Sequence, residues 1–299
     1  MPYISPLGFV FENQVTGRFD GYAVRDENKQ SDNLSRAYVN ASSKVSYPMI
    51  LAGKNYSQII EPIAMLVLSP NSKSKNKIPN EDSIDLTFDD VNLFVANRFN
   101  GYDKVETGSR ANYGVQWSLF GPNNIFLSAV FGQSYQFRAD GKNETVATYD
   151  DHFSSYVGHL NMDFKDFGVN YRFRLSQKNF SHEMSETQFY VGRDPLRLTV
   201  AYLYLQATKE LITKKGAIDR EEVYLHLSSK LTQSLSTYGY YRYDLATGGG
   251  PTEAGGGLQY DNECLTLLFT VQKEFTKDKD YKGDTSFLMR VILKTLGGV

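Results

Sequence analysis

The sequence is poor in cysteine, tryptophan, proline and net charge. Its 299 residues include one Cys, one Trp and nine Pro, and the formal net charge is −2. A single thiol, Cys264, excludes an internal disulfide framework and any multi-cysteine metal site. The near-neutral balance also excludes the basic footprint of a nucleic-acid-binding surface, so no nucleic-acid partner is predicted.

Long apolar runs are missing as well. No run of about 18 apolar residues occurs, so no transmembrane helix is predicted. Membrane-spanning strands are not excluded, because half of each such strand faces water and lowers the mean hydropathy. The start of the chain, MPYISPLGFVFENQ, has no basic segment followed by an apolar one and so predicts no signal peptide. For an outer-membrane protein, we therefore expect a fragment or a split reading frame.

Aromatic residues are abundant, with 21 Tyr and 19 Phe, and they follow a two-residue rhythm. In HLNMDFKDFGVNYRFRLS, residues 159–176, the apolar positions are even before Lys165-Asp166 and odd after it. Side chains alternate between the faces of a strand, and the residues that flank a two-residue hairpin turn share a face. The segment therefore predicts a hairpin with one apolar and one polar face. Its second strand would carry Phe167, Val169, Tyr171, Phe173 and Leu175 on the apolar face and Asn170, Arg172 and Arg174 on the polar face.

About fourteen such strand-like runs recur, from residues 7–24 to residues 285–296. Some connections are short, such as Lys165-Asp166, and others are predicted to be long and polar, such as residues 54–57 and 209–220. Short turns at one edge and long loops at the other are typical of outer-membrane barrels. The predicted fold is all-β, an antiparallel transmembrane β-barrel. A soluble β-rich structural protein or adhesin remains the alternative.

Residues 71–103 break this rhythm, because they are too long for a plain turn. Residues 85–94 have helix-compatible apolar spacing. We expect an ordered insertion that leaves the wall and folds into or over the lumen, and a mobile extracellular loop is the other possibility. The residues expected to fix its return are Asn97, Arg98, Phe99, Gly101 and Asp103.

Candidates for catalysis or metal binding are weak. His159 and His226 lie at polar positions of strands, where a wet polar side chain is the simplest interpretation. No nucleophile elbow accompanies the histidines, and no His/Cys spacing matches a metal site. GGGPTEAGGG, residues 248–257, lacks the Lys-Ser/Thr of a phosphate loop and predicts a flexible loop followed by a strand that bends or meets another backbone. No catalytic residue, metal or cofactor is predicted, and the chain is not expected to be an enzyme.

Four segments, in this order and at these separations, resemble the C-terminal barrel region of the LptD family. They are IIEPIAMLVLSPN (59–71), IPNEDS…LFVANRFNGYDKV (78–105), GLQYDNECLTLLF (257–269) and DTSFLMRVILKTLGG (284–298). The family is the outer-membrane translocon that inserts lipopolysaccharide into the outer leaflet. The resemblance implies a barrel of about 26 strands in the bacterial outer membrane, of which residues 1–299 would form about the last fourteen.

The resemblance also implies partners and roles. The partners are lipopolysaccharide, an LptE-like lipoprotein plug, and an LptA-like periplasmic jellyroll bridge reached through an N-terminal domain that this chain lacks. The family often has two adjacent cysteines where this chain has Glu263-Cys264. Cys264 corresponds to the second of them, which forms a disulfide with the missing N-terminal region.

The family's lateral gate lies between the first and last strands of the barrel, and this chain would contribute the last. The gate strand carries Phe287, Met289, Val291 and Leu293 on the face expected to meet lipid. A passive porin-type diffusion channel, with the same wall and no seam, is the alternative function.

Overall fold

The computed structural model describes residues 2–25, 31–70, 78, 80–83, 87–138, 145–147, 149–207, 219–275 and 283–294. Within these ranges the chain is all-β, with fourteen strands of eight or more residues and four shorter ones. The prediction of an antiparallel all-β chain with about fourteen strands is confirmed. The described ranges hold no helix whose length and apolarity would let it cross a membrane.

The strand bounds are as follows. They are β1 (Tyr3–Ile4), β2 (Val10–Arg25), β3 (Ser31–Ser46), β4 (Met49–Ala52), β5 (Ser57–Leu68), β6 (Arg110–Phe120), β7 (Phe126–Gln136), β8 (Tyr149–Asp150), β9 (Phe153–Ser154), β10 (Tyr156–Asp163), β11 (Phe167–Leu175), β12 (His182–Arg193), β13 (Leu196–Leu205), β14 (Arg220–Lys230), β15 (Leu235–Asp244), β16 (Pro251–Asp261), β17 (Leu265–Glu274) and β18 (Thr285–Leu293).

The chain forms two compact units. The first holds residues 1–122, 126–160 and 172–182, and the second holds residues 123–125, 161–171 and 183–299. The first unit contains an antiparallel sheet with the strand order β2, β3, β5, β6 and β7. The short strand β4 follows β3 and pairs with the same edge of β5. In the second, β12 to β18 pair antiparallel in chain order.

The hairpin predicted around Lys165-Asp166 is present. The backbone N–H of Phe164 donates to the carbonyl of Phe167 at 2.9 Å. The two rings stack with centroids 4.5 Å apart, so both side chains lie on one face. The parity switch in the sequence therefore comes from a two-residue turn, as predicted.

One expected loop is a tight turn instead. Residues 54–57 were predicted to be a long polar connection, but Gly53 donates to the carbonyl of Tyr56 at 2.8 Å and the chain reverses at once into β5. Lys54-Asn55 provides the two central residues of this hairpin, and asparagine suits such turns. With this tight turn, short turns and long loops alternate more regularly along the chain than the sequence suggested.

The two faces of the first unit have opposite character. On β2 the apolar side chains Val15 and Phe19 are 77% and 76% exposed, and on β3 Val39 is 54% exposed. On the other face of β3, Asn40 and Ser42 are buried. A soluble sandwich buries its apolar face and exposes its polar one, so this sheet is inverted relative to that pattern.

The polar face is buried because part of the long β5–β6 connection packs on it. Phe88 and Leu93 of this connection form a small core with Ala147 and with Val157 of β10. Leu93 and Val157 are fully buried. The connection thus has its own apolar anchor within an otherwise polar surface.

The helix predicted for residues 85–94 is wrong in the described part, residues 87–94, which contains a turn. Residues 85 and 86 lie outside the described residues. The reason is local: the Asp89 carboxylate accepts the N–H groups of Val91 and Asn92 at 3.0 and 3.1 Å. The Asn92 amide oxygen accepts the N–H of Asp89 in return, at 3.2 Å. Such side-chain bonds to the backbone compete with helical pairing.

We predict that Leu93→Ala detaches this connection from the sheet. The loss of a fully buried side chain should cost about 2–3 kcal/mol in the free energy of unfolding, at the lower end of core truncations because the cluster is small. Proteolysis of residues 87–98 in the folded chain should accelerate. Val91→Ala is the matched control, since Val91 is 66% exposed. Equal protease resistance of the two variants would contradict the anchoring role.

Candidate functional site

The candidate site is the face of the first unit where the β5–β6 connection rests on charged strand residues. Alternation places Arg18, Asp20 and Tyr22 of β2 on one face, and register places Arg36 of β3 beside Asp20. Asp20 accepts from Arg18 and from Arg36, at 2.9 and 2.7 Å. One carboxylate therefore orients two guanidinium groups toward the connection.

These guanidinium groups hold the returning end of the connection. Arg18 donates to the carbonyl of Tyr102 at 2.6 Å, and Arg36 donates to the carbonyls of Tyr102 and Asp103. The hydroxyl of Tyr22 donates to the same Tyr102 carbonyl at 3.2 Å. Charge-assisted bonds to a carbonyl are stronger than neutral ones, so the return path is fixed from the strand side.

A second set of bonds fixes the return from within the connection. Asp82 accepts the N–H groups of Tyr102 and Asp103 at 2.7 and 2.9 Å. Asp103 accepts those of Glu81 and Asp82 at 2.8 and 3.1 Å. The N–H groups of Asp103 and Tyr102 hold the pKa of Asp82 below its ordinary value.

Gly101 is required between these bonds. Its φ is +80°, and a Cβ there would stand 2.7 Å from the backbone oxygen of Asp82. A side chain at this position would be both strained and in collision with the backbone. The glycine therefore allows the two chain segments to approach closely enough to exchange their hydrogen bonds.

A buried carboxylate lies between two buried arginines deeper in the site. Glu106 contacts Arg98 at 3.3 Å and Arg110 at 3.0 Å, and none of the three side chains is more than 1% exposed. Arg98 also donates to the side-chain oxygen of Asn112 at 3.1 Å. Arg110 donates to the carbonyls of Val95 and Ala96 at 3.0 and 2.7 Å. The Glu106 carboxylate and the backbone carbonyls compensate part of the charge of the two guanidinium groups, while Nε and Nη1 of Arg110 make no hydrogen bond in the described structure.

Besides Arg36 and the Glu106 cluster, a third anchor between strands and connection involves Asp90, near the turn that replaces the predicted helix. Its carboxylate contacts the Nδ1 of His159 on β10 at 2.7 Å and the Nε of Arg172 on β11 at 3.0 Å. Burial raises the pKa of Asp90, but the hydrogen bond from His159 and the charge of Arg172 outweigh it, so the pKa lies below its ordinary value of 3.8. Arg174 adds a bond to the carbonyl of Phe88 at 3.2 Å.

All five predicted residues of the insertion lie in this region. Arg98 joins the buried ion cluster, and Asn97 accepts the N–H of Glu106 through its side-chain oxygen at 2.9 Å. Phe99 is buried under the ammonium group of Lys104, which lies 5.6 Å from its ring centroid. Gly101 and Asp103 belong to the return described above. That these five residues fix the return of the insertion stays a prediction.

Sequence reasoning missed the partners of these residues. Glu106 and Arg110 follow the predicted insertion, and Asp82 lies within it without having been singled out. Only Arg18, Asp20 and Arg36 carried a usable signal, because charges alternating with apolar residues on neighbouring strands share the polar face. Glu106 shows no periodicity, since its partners come from the connection and from the start of β6.

The remaining candidates lie in the second unit. Cys264 is an exposed free thiol in the turn between β16 and β17. Its N–H donates to the side-chain oxygen of Asn262 at 2.9 Å, and its carbonyl accepts the N–H of Lys294 at 2.9 Å. The thiol therefore stands at the tip of a short, well-bonded turn.

The predicted gate strand is β18, which pairs with β17 as expected. Phe287, Met289, Val291 and Leu293 are exposed and pair with Val271, Phe269, Leu267 and Leu265, respectively. The two apolar sets therefore share one face. No group of three or more His, Cys, Asp or Glu side chains that could hold a metal ion occurs among the described residues.

Comparisons with known proteins agree on one family. The family model "LptD: LPS transport system D" matches residues 1–243. The LPS-assembly protein LptD of Acinetobacter baylyi is 31% identical over 138 residues, covering 46% of this chain and 17% of that protein. The LPS-assembly protein LptD of Pseudomonas aeruginosa strain LESB58 is 24% identical over 311 residues, covering 91% of this chain and 33% of that protein.

The chain thus spans a third or less of the length of these curated relatives. Among solved structures, Salmonella typhi OmpF in complex with daunomycin aligns over 98% of this chain and 100% of that one. The TM-score is 0.36 and the sequence identity is 10%, a likeness too low to bear on function.

We predict that Glu106→Gln destabilises the site strongly. The change leaves Arg98 and Arg110 buried without a counter-charge, which should cost about 3–5 kcal/mol. The free energy of unfolding in urea, measured in detergent, reports the effect. Glu12→Gln is the matched control: Glu12 pairs with Lys44 at 2.8 Å but is 51% exposed, so its loss should cost less than about 1 kcal/mol. Equal costs would refute a buried ion cluster.

We also predict that acid loosens the connection. A carboxyl whose pKa is lowered by folding stabilises the folded state above its ordinary value of 3.8, and this stabilisation disappears as the pH falls through the lowered pKa. Asp90→Asn should therefore lower the free energy of unfolding at neutral pH. It should also make the loss of stability below about pH 4 smaller than in the unaltered chain. Burial instead raises the pKa of neighbouring Asp89, so Asp89→Asn should not flatten that decline. A decline that Asp90→Asn leaves unchanged would contradict this role.

Proposed function

Because the chain belongs to the LptD family of outer-membrane β-barrel proteins, we propose that it forms the C-terminal wall of a translocon that inserts lipopolysaccharide into the outer leaflet. The match of the family model over residues 1–243 carries this proposal. The wall performs transport and no covalent chemistry. Lipopolysaccharide is amphiphilic, so its acyl chains and its sugars need different surfaces along one route.

The inverted faces of the sheet suit that division. Val15 and Phe19, which are largely exposed, would face lipid, where an apolar side chain costs nothing to expose. The opposite face of the same strand carries Arg18, Asp20 and Tyr22 and would line a wet lumen for the sugars. The described residues of the β5–β6 connection would then occupy part of that lumen, held by the anchors at Arg36, Glu106 and Asp90.

We assign β18 to one side of the lateral gate. Its apolar residues occur on both faces, since Leu288 and Ile292 alternate with Met289 and Val291. On the polar side of the sheet these two residues lie beside Leu268 of β17, which pairs with Arg290. An acyl chain that leaves through the seam would touch this strand from inside as well as outside, and Leu288 and Ile292, on either side of Arg290, would give it apolar contacts inside.

The remaining partners follow from the family. An LptE-like lipoprotein would plug the lumen, and an LptA-like jellyroll bridge would deliver lipopolysaccharide to the N-terminal part of the protein. Cys264 would form a disulfide with that N-terminal part. Its exposure at the tip of a short turn supports this pairing, because a buried thiol could not reach a partner outside the wall.

Cross-linking tests the gate. In a full-length family protein that carries this region, Met289→Cys is paired with a cysteine on the first barrel strand. The cross-link should stop lipopolysaccharide from reaching the cell surface, because the seam can no longer open. Surface lipopolysaccharide, measured by antibody or by accessibility to a lipid A-modifying enzyme, is the readout.

The matched control uses the same cysteine inside the wall. Met289 pairs with Phe269 across β17 and β18, so Met289→Cys with Phe269→Cys bridges two strands that stay together during transport. Delivery should survive this cross-link. Unchanged delivery with the seam fully cross-linked would refute the gate and favour a passive porin-type channel.

A further inference from the structure

Four aromatic rings form a continuous patch on the polar face of β14 and β15 in the second unit. His226 of β14 pairs with Tyr240 of β15, and Tyr224 and Tyr238 are the next residues on the same face, opposite Arg242 and Ser228. Neighbouring rings have centroids 6.0–6.4 Å apart. The planes of Tyr238 and Tyr240 differ by only 9°. We call these four residues the aromatic platform.

The glycines of residues 248–257 explain why these rings lie flat. Tyr240 pairs with Gly255 and Tyr238 with Gly257 on β16. A Cβ on Gly255 would stand 2.6 Å from the Tyr240 hydroxyl, and one on Gly257 would stand 2.9 Å from the Tyr238 ring. The rings therefore occupy the space that side chains of β16 would fill. The outer ends of both rings therefore lie over the glycine positions of β16.

The glycines make room for the backbone of β17 as well as for the rings, since a Cβ on Gly257 would stand 2.5 Å from the carbonyl oxygen of Phe269 and one on Gly255 2.8 Å from that of Val271. Glycine weakens a strand because it adds backbone freedom in the unfolded state and no packing in the folded state. Any larger residue at position 255 or 257 would displace the tyrosine rings and press on the backbone of β17. All four platform residues are partly exposed, and the guanidinium of Arg242 lies over the Tyr224 ring, 5.4 Å from its centroid.

A cleft of about 820 Å³ adjoins the platform at the short-turn edge of the sheet. His226 and Tyr238 belong to its wall, together with Arg197, Ser228 and Gln259. The guanidinium of Arg197 lies 4.2 Å from the ring centroid of Tyr190. The volume lies within the range of small-molecule sites, and hydroxyl, amide and guanidinium groups provide hydrogen bonds to a polyhydroxylated ligand.

The charges of the cleft favour a sugar over a bare anion. Two of its cations are paired, Lys230 with Asp194 at 3.5 Å and Arg193 with Asp166 at 3.1 Å. A site for isolated phosphate needs converging cations instead. Flat rings with neutral hydrogen-bonding groups suit a pyranose, whose ring C–H groups carry slight positive charge and pack on the negative face of an aromatic ring.

We propose that the aromatic platform and its cleft bind the pyranose rings of the lipopolysaccharide saccharide during transit. This proposal rests on the proposed function and assigns a subsite to it. The Tyr238 and Tyr240 rings stack on sugar rings, and Arg197, Ser228 and Gln259 bind their hydroxyl groups. Successive sugars move along the platform, because stacking does not depend on the identity of each hydroxyl.

Footprinting of the unaltered chain provides the first test. The full chain, folded in detergent, is oxidised by hydroxyl radicals with and without core oligosaccharide freed of lipid A. Bound oligosaccharide should reduce oxidation of Tyr224, Tyr238 and Tyr240. Tyr241, which lies on the opposite face of β15, should be oxidised equally in both samples. Equal oxidation of the platform tyrosines in both samples would overturn the proposal.

Substitution provides the second test, read by calorimetric titration with the same oligosaccharide. Tyr238→Leu combined with Tyr240→Leu keeps apolar volume over the glycines but removes both rings, and should weaken binding by about tenfold. The corresponding Phe substitutions keep the rings and should remain within about threefold of the unaltered chain. Tyr241→Leu is the matched control and should have no effect. Equal affinities of the Leu and Phe pairs, or tighter binding of maltoheptaose than of the core oligosaccharide, would overturn the assignment.

The two proposals fail separately. If oligosaccharide binds to the platform but the cross-linked seam still delivers lipopolysaccharide, the gate is refuted and the sugar site is supported. Gated delivery without any oligosaccharide binding would refute the sugar site while supporting the gate.

Discussion

Backbone pairing between consecutive antiparallel strands is the constraint on which the rest of this structure depends. In hydrocarbon no water is available to an N–H or C=O group, so every strand inside a membrane needs a paired neighbour. Pairing in register also aligns the side-chain alternation of neighbouring strands, and a single face then has the same character across many strands. The inversion seen on β2 and β3, apolar side exposed and polar side buried, follows from this alignment and from the solvent on each side.

The polar face offers the β5–β6 connection few apolar contacts, and ion pairs hold the connection there instead. A loop that rests on a polar surface has little apolar area to bury, and the cluster around Phe88 and Leu93 is small. Most of its fixation therefore comes from Arg36, Glu106 and Asp90, each at a different part of the face. Charge pairs are directional, whereas apolar contacts are not. We infer that the ions position the loop and that the small core stabilises it.

Strand parity was predictable from the sequence, whereas the side-chain contacts that fix the β5–β6 connection were not. The hairpin at Phe164 and Phe167 could be predicted because parity is a property of adjacent residues. The helix prediction for residues 85–94 failed because apolar spacing ignores the Asp89 and Asn92 side chains, which satisfy the backbone in a turn. Glu106 could not be found although Arg98 and Arg110 are only eight and four residues away, because no local rule indicates that the chain folds both around one carboxylate. Gly101 has a left-handed conformation in the segment where the insertion was predicted to return. The close approach of the Asp82 backbone to it was not predicted.

The second unit presents two kinds of surface on one side of one sheet. On β14 and β15 that side is aromatic and hydrogen-bonding, whereas on β17 and β18 the same side carries Leu268, Leu288 and Ile292. Only β16, with its glycines, lies between them, and strands are spaced about 5 Å apart, so the two surfaces are separated by roughly 10–15 Å. A sugar and an acyl chain of one amphiphile could each contact its own surface at the same time. The glycines then have a second consequence. Because β16 has no side chains at these positions, the rings of β15 extend toward β17 and shorten the distance between the sugar-binding and acyl-binding surfaces.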